Sequence, residues 1–142
     1  MKIEGDGMFD FIYADKGYTE YLECNDNHIP REILLKKMED NEIIVLKEDE
    51  KIIGWLRFSL FWDNIPFMNM LMIEEAYRKK GLGKMLITFW ENEMREKGYK
   101  TVLTSTLSNE SAQHFYRKQG YKDAGCLLLE EEGLEIVFKK DI

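Results

Sequence analysis

The chain has 142 residues, a one-domain length, and can bury about two-thirds of its unfolded surface without a metal or disulfide staple. Hydrophobic residues make up 44% and charged residues 33%, which excludes a disordered chain, and no apolar run approaches the roughly 18–20 residues of a membrane span. The net charge of −7 argues against nucleic-acid binding and suits a cationic substrate, and Cys24 and Cys126, outside any CxxC spacing, read as free thiols of a reducing cytoplasm with no zinc site.

The opening residues, MKIEGDG, carry two acids and no apolar segment, so no secretory leader is expected. Residues 8–13 read as a first strand. Two short helical stretches follow, Gly17–Cys24 and Arg31–Glu39, around a polar loop NDNHIP. Ile43–Lys47 and Ile52–Phe61 read as a hairpin across the turn KEDEK. A loop at 61–66 precedes Phe67–Ile73, whose near-continuous apolar run predicts a strand buried on both faces. Gly81–Lys97 repeats apolar residues at helical spacing through Leu82, Met85, Leu86, Phe89, Trp90 and Met94, and Gly98 should end it. Thr101–Leu107 is a strand. Asn109 or Ser108 is expected to cap the next helix, which ends at Gly120, and Cys126–Leu129 with Leu134–Lys139 forms a closing hairpin around EEEG. The unit 67–107 is long enough for a right-handed parallel crossover, while the first half of the sheet should be antiparallel. One domain over residues 1–142 is the simplest organisation.

The turn Arg78-Lys79-Lys80-Gly81-Leu82-Gly83-Lys84 carries four bases in seven residues. A helix N-terminus already bears partial positive charge and favours acids, so bases there are unfavourable by roughly 0.3–1 kcal/mol each unless an anion joins them. The helix after Asn109 follows the rule with Glu110, and this one breaks it. Gly81 and Gly83 remove side chains where free N–H groups point outward, so a phosphate can approach the backbone. A solvated basic turn is the plainer alternative. The segment contains neither a P-loop GxxxxGK[ST] nor a dinucleotide GxGxxG.

The pattern Arg78-x-x-Gly81-x-Gly83, after an apolar strand and before an amphipathic helix, resembles the acetyl-coenzyme A signature of the GNAT superfamily of N-acetyltransferases. Asn109-x-x-Ala112-x-x-Phe115-Tyr116-x-Lys118-x-Gly120-Tyr121 resembles the same family's helix after the fifth strand, at the expected distance. The likeness covers about residues 41–139. It implies an α/β fold with a mixed, mostly antiparallel sheet splayed between parallel central strands at 67–73 and 101–107, and helices on both faces.

The resemblance implies that the N–H groups of about Lys79 to Lys84, with Arg78, hold the pyrophosphate of coenzyme A. The pantetheine would lie along Met70, Leu71, Met72 and Ile73 like an extra strand, with Asn109 and Ala112 beside it. A backbone N–H near Leu71 or Met72 would stabilise the oxyanion. Tyr116 would protonate the departing thiolate. Asn109 as a cap, Ala112 and Phe115 as packing, and Tyr116 as an amphipathic tyrosine with its tip in water remain the structural alternatives.

No acid lies on 67–73, so no general base is named. Glu74 and Glu75 either pair with the basic turn or face water. His28 sits in the loop that shapes the acceptor pocket in the family, Asp63 in a turn, and His114 on the solvent side of its helix. Cys126 reads as a small core residue. The implied activity is acetyl-coenzyme A-dependent transfer to a primary amine of a small cationic molecule, in the cytoplasm, with no metal, nucleic acid or membrane partner. A homodimer is compatible with it, and the acyl group need not be strictly acetyl. A protein N-terminal amine is the competing acceptor, and a non-catalytic coenzyme A sensor the competing class.

Overall fold

The computed structural model describes residues 8–129 and 133–142. The first seven residues, read above for a leader, and residues 130–132, read above as part of the EEEG turn, lie outside the described residues. The elements are β1 (Phe9–Tyr13), a 3-10 turn (Lys16–Tyr18), α1 (Thr19–Asn25), α2 (Arg31–Glu39), β2 (Ile43–Glu48), β3 (Lys51–Phe61), β4 (Ile65–Ile73), a second 3-10 turn (Glu75–Tyr77), α3 (Leu82–Glu96), β5 (Thr101–Leu107), α4 (Ala112–Lys118), β6 (Lys122–Leu128) and β7 (Leu134–Asp141). The seven strands are ordered β1-β2-β3-β4-β5-β7-β6. The β1–β2, β2–β3, β5–β7 and β6–β7 pairs are antiparallel and β4–β5 is parallel, which is the mixed sheet expected. No helix among the described residues is long and apolar enough to cross a membrane.

β4 starts at Ile65, two residues earlier than its apolar run, because the predicted loop closes as a tight turn. Trp62 (φ 53°) and Asp63 (φ 61°) are both left-handed, and the Asn64 N–H donates to the Phe61 carbonyl at 3.2 Å. Two positive φ values match the twist of the flanking strands, as in a type I′ hairpin.

The chain forms two compact units, one within Met1–Phe58 and Met70–Phe89, the other within Ser59–Asn69 and Trp90–Ile142. In the first, Leu22 of α1 and Leu34 and Met38 of α2 pack on Ile43, Val45 and Trp55. Burial of this cluster is what holds two helices too short to be stable alone. A polar seam runs through it. Arg57 of β3 donates to both carboxylate oxygens of Asp26, at 2.7 and 3.4 Å, and Lys37 of α2 donates to the Phe58 carbonyl at 2.6 Å. Asp26 is 3% exposed and Arg57 7%, so the pair fixes the loop after α1 from inside.

In the second unit, Trp90 and Met94 from the end of α3 are buried, as are Val102 and Phe138. Glu91 is also buried and accepts from the Tyr121 hydroxyl at 2.7 Å and Lys140 Nζ at 2.9 Å. Burial and the adjoining Glu91 push the Tyr121 phenol well above the usual tyrosine range. Gly98 (φ 94°) takes the left-handed position that ends α3, and the Tyr99 N–H returns to the Met94 carbonyl at 3.1 Å. β6 is the last strand of the sheet and is exposed along its length. Cys126 is therefore exposed, not a core residue, because an edge strand here has no layer over it.

Candidate functional site

The residues singled out from the sequence fall into two sets, one in each unit. The first set follows β4. Arg78, Lys79, Lys80 and Gly81 are exposed, Lys79 has φ 64° and Gly81 φ 79°. A left-handed residue on either side of Lys80 reverses the backbone over a very short span, and successive N–H groups in such turns converge on an anion. A Cβ built at Gly81 meets no heavy atom within 4 Å, so the space above the turn is open. α3 then starts at Leu82, and the Met85 N–H is bonded to the Gly81 carbonyl at 3.1 Å. The N–H groups of Leu82, Gly83 and Lys84 precede the first intrahelical bond and are free for a ligand.

The electrostatic contrast between helix starts holds at different helices from those expected. α1 and α2 each carry an acid in the first turn, Glu20 and Glu32, whereas α3 carries none. Glu110 lies ahead of α4, not within its first turn. The cation cluster is larger than the motif. Lys51 of β3 and Lys80 lie over the Tyr77 ring, at 5.2 and 5.5 Å from its centroid. Arg78 folds back, its Nε donating to the Ile73 carbonyl at 2.8 Å, so it ties the turn to the end of β4.

Met70, Leu71 and Met72 are half-buried and only Ile73 of the four is buried, so this end of β4 is not covered on both faces as its composition predicts. The ladder with β5 pairs Phe67 with Leu103 and Met68 with Thr104, and β4 runs on to Ile73 beyond it. Gly54 of β3 allows a close approach to this segment. A Cβ there would stand 2.8 Å from the Met72 carbonyl oxygen and 2.7 Å from Ile73 Cδ1. A glycine inside a strand is the sequence signal for such a contact; the motif analysis did not single it out. Glu74 neither joins the basic turn nor stands free in water: it accepts from the Tyr21 hydroxyl, which raises the Tyr21 phenol together with burial, the larger cause. Glu75 is exposed.

The second set surrounds α4. The helix begins at Ala112 with Ser111 at its cap and no side-chain cap bond, so neither Asn109 nor Ser108 caps it. Gln113 stabilises the entry instead, its Nε2 donating to the Ser108 and Glu110 carbonyls at 2.6 and 3.0 Å. Asn109 is exposed and its side chain is left for another partner, while Ala112 and Phe115 are half-buried. Tyr116 is buried, at 8% exposed. Its ring meets Tyr121 edge-on at 5.9 Å and Phe138 at 6.0 Å. Burial raises its pKa, Glu110 adds to this, and the Thr104 hydroxyl beside it acts in the opposite direction. His114 is exposed as expected, and His28 and Asp63 are exposed in their turns.

The sequence model described as the acetyltransferase (GNAT) family matches residues 8–121. Among solved structures, a GNAT-family acetyltransferase from Bacillus cereus ATCC 10987 aligns with a TM-score of 0.76 and 22% identity, over 95% of this chain and 98% of that one. The PaiA N-acetyltransferase from Thermoplasma acidophilum, solved in complex with coenzyme A, aligns with a TM-score of 0.77 and 15% identity, over 95% and 99% of the two chains. The ribosomal-protein-S18-alanine N-acetyltransferase from Escherichia coli aligns with a TM-score of 0.75 and 15% identity, over 95% and 94%.

Proposed function

The chain belongs to the acetyltransferase (GNAT) family, and from that premise we propose that it transfers the acetyl group of acetyl-coenzyme A to a primary amine, that of a small cationic molecule. The observation that carries the cofactor half is the open, doubly left-handed turn at Lys79 and Gly81, ringed by bases at the start of a helix whose first turn carries no acid. Arg78, Lys79, Lys80, Gly81, Leu82, Gly83 and Lys84 would hold the pyrophosphate through N–H groups and charge. Met70, Leu71, Met72 and Ile73 would present strand N–H and carbonyl groups to the pantetheine, with Asn109 and Ala112 assigned beside it by the family resemblance. The bound co-substrate supplies an activated acetyl thioester. The Leu71 N–H would donate to the carbonyl oxygen as negative charge builds there. Tyr116 would give its proton to the departing sulfur. The net charge of −7 supports a cationic acceptor by raising its local concentration.

The test is calorimetric and enzymatic. At a hundredfold excess over its dissociation constant, coenzyme A should stabilise the fold by about 2.7 kcal/mol, a rise of roughly 5–10 °C in Tm at this size. A dephosphorylated pantetheine fragment should do much less. Release of free thiol from acetyl-coenzyme A should then depend on added amine, with small polyamines or arylalkylamines ahead of peptides. Turnover on peptide N-termini alone would move the acceptor to a protein N-terminal amine. Tight coenzyme A binding with no turnover on any amine would leave a sensor, and no Tm shift would remove the cofactor assignment.

Gly54→Ala probes the strand end. The new Cβ meets backbone, so β4 must shift at Met72. We expect a loss of about 1–3 kcal/mol of stability, the usual cost of overpacking, and weaker coenzyme A binding by titration calorimetry. An alanine variant with the parent's stability and affinity would mean that the close approach relaxes freely and places nothing.

A further inference from the structure

Lys51, the exposed first residue of β3, stands opposite Glu48 of β2 in the strand register, the acid that a cross-strand lysine would ordinarily meet. Its ammonium instead lies over the Tyr77 ring, 5.2 Å from the centroid, and Lys80 Nζ lies over the same ring at 5.5 Å. Among the described residues neither ammonium has an ion-pair partner. Two acids near them in the chain are engaged elsewhere: Glu50 pairs with Lys47 at 3.6 Å, and Glu74 accepts from the Tyr21 hydroxyl. Glu75 is exposed and pairs with neither lysine. An aromatic face attracts a cation, but two ammonium groups this close to one ring centroid also repel each other. In a chain with 27 acids against 20 bases, two such cations brought together from separate elements without a carboxylate are arranged for an anion from outside.

We propose that Lys51 and Lys80, set against Tyr77, form a subsite for a phosphate monoester, the one on the ribose of coenzyme A, so that the protein distinguishes coenzyme A from its dephospho form. This rests on the cofactor reading proposed above. Lys80 lies between left-handed Lys79 and Gly81, so its side chain leaves the turn whose N–H groups take the pyrophosphate. The monoester sits on the ribose that the pyrophosphate carries, one sugar away. It bears a charge of about −1.5 to −2 at pH 7 and three acceptor oxygens, which two ammonium donors from different elements match. Arg78 is committed to β4, its Nε donating to the Ile73 carbonyl at 2.8 Å and its Nη2 standing 3.5 Å from Met72 Sδ. Tyr77 is the positioning residue. Its N–H donates to the Glu74 carbonyl at 2.9 Å and its ring is half-buried, so it offers a fixed platform that limits the rotamer freedom two long side chains would lose on binding. Lys51 lies outside the basic turn and nearly thirty residues before it, about the length of a hairpin and its return.

The experiment is titration calorimetry of the whole chain with coenzyme A and with dephospho-coenzyme A, which differ only in that phosphate. The parent should bind coenzyme A more tightly by about 10-fold, as for a hydrogen bond to a charged group. Lys51→Gln should remove most of that preference by weakening coenzyme A alone, leaving the affinity for dephospho-coenzyme A as it was. Lys80→Gln should weaken both, and coenzyme A the more. Tyr77→Phe keeps the ring face and should keep the preference, whereas Tyr77→Leu should lose part of it. The preference should shrink with added salt. Adenosine 3′,5′-bisphosphate should displace coenzyme A better than adenosine 5′-diphosphate does, and inorganic phosphate at the same concentration should not compete. Equal affinity of the parent for the two cofactors overturns the inference and leaves the cofactor reading standing. A Lys51→Gln variant that keeps the full preference, or that weakens both ligands alike, also overturns it. Competition by inorganic phosphate equal to that of the bisphosphate would show a generic anion site and overturns it too. Binding of neither cofactor would sink the cofactor reading and the inference together.

Discussion

Tyr116→Phe is expected to lower kcat by about 10²–10⁴-fold, the usual worth of a general acid, with the KM for acetyl-coenzyme A held within a few fold. Only the hydroxyl is lost, and the ring contacts with Tyr121 and Phe138 can remain as they are. A thiolate leaving without a proton is the cost that the phenol removes. Burial raises the Tyr116 pKa above the ordinary 10.0. A raised pKa keeps the proton on the phenol as pH climbs, so the acid form is present throughout the neutral and mildly alkaline range. The parent's kcat should therefore show no alkaline fall from this group below pH 10.0, the unshifted tyrosine value. Steady-state kinetics across pH on a responsive amine checks both points. A phenylalanine variant that turns over like the parent makes Tyr116 a packing residue, and a fall centred below that value which disappears in the variant would contradict the effect of burial.

Asp26→Ala should cost about 3–5 kcal/mol of stability, because it strands the buried Arg57 guanidinium without its partner. At this size that is a fall of roughly 6–20 °C in Tm. Asp26 does more than neutralise charge. Its backbone N–H closes α1 on the Leu22 carbonyl at 2.8 Å, and its carboxylate accepts from the His28 N–H at 3.3 Å as well as from Arg57. The loop 26–30 is thus pinned to β3 by one side chain. Urea unfolding checks the loss. A double variant, Asp26→Leu with Arg57→Met, should recover much of it, since an apolar pair of similar volume leaves no buried charge unpaired. A loss below about 1 kcal/mol for Asp26→Ala would mean that water reaches Arg57 on local opening and the pair stabilises little.

The order of strands and helices was legible because it is written in local patterns. The helical spacing from Leu82 to Met94 places α3 to within a residue at either end, and the glycine at 98 stops it for a reason that needs no tertiary contact. The basic turn at 78–84 was legible for the same reason: a conflict between side-chain charge and helix polarity is visible in seven consecutive residues. Local rules failed where a neighbouring side chain made the bonds instead, or where the strand's place in the sheet decided. Asn109 is a good cap by type, yet Gln113 makes the bonds to the Ser108 and Glu110 carbonyls and α4 starts three residues later. Cys126 is apolar by type, yet its strand is the last of the sheet.

By itself, then, the sequence determined the fold class, the basic glycine turn at 78–84 and the position of Tyr116 on its helix, since each depends on residues near one another in the chain. Only the tertiary structure decided what those residues touch. Tyr116 is a buried phenol packed on Phe138 because α4 and β7 meet from separate stretches of the chain. Glu74 answers to Tyr21, 53 residues away, and Asp26 to Arg57, 31 residues away. Gly54 admits the Met72 carbonyl because β3 and β4 approach more closely than a methyl group allows. Partners at such separations leave no periodicity in a single chain, and hydrogen bonds and close packing select them only once the backbone has brought them into range.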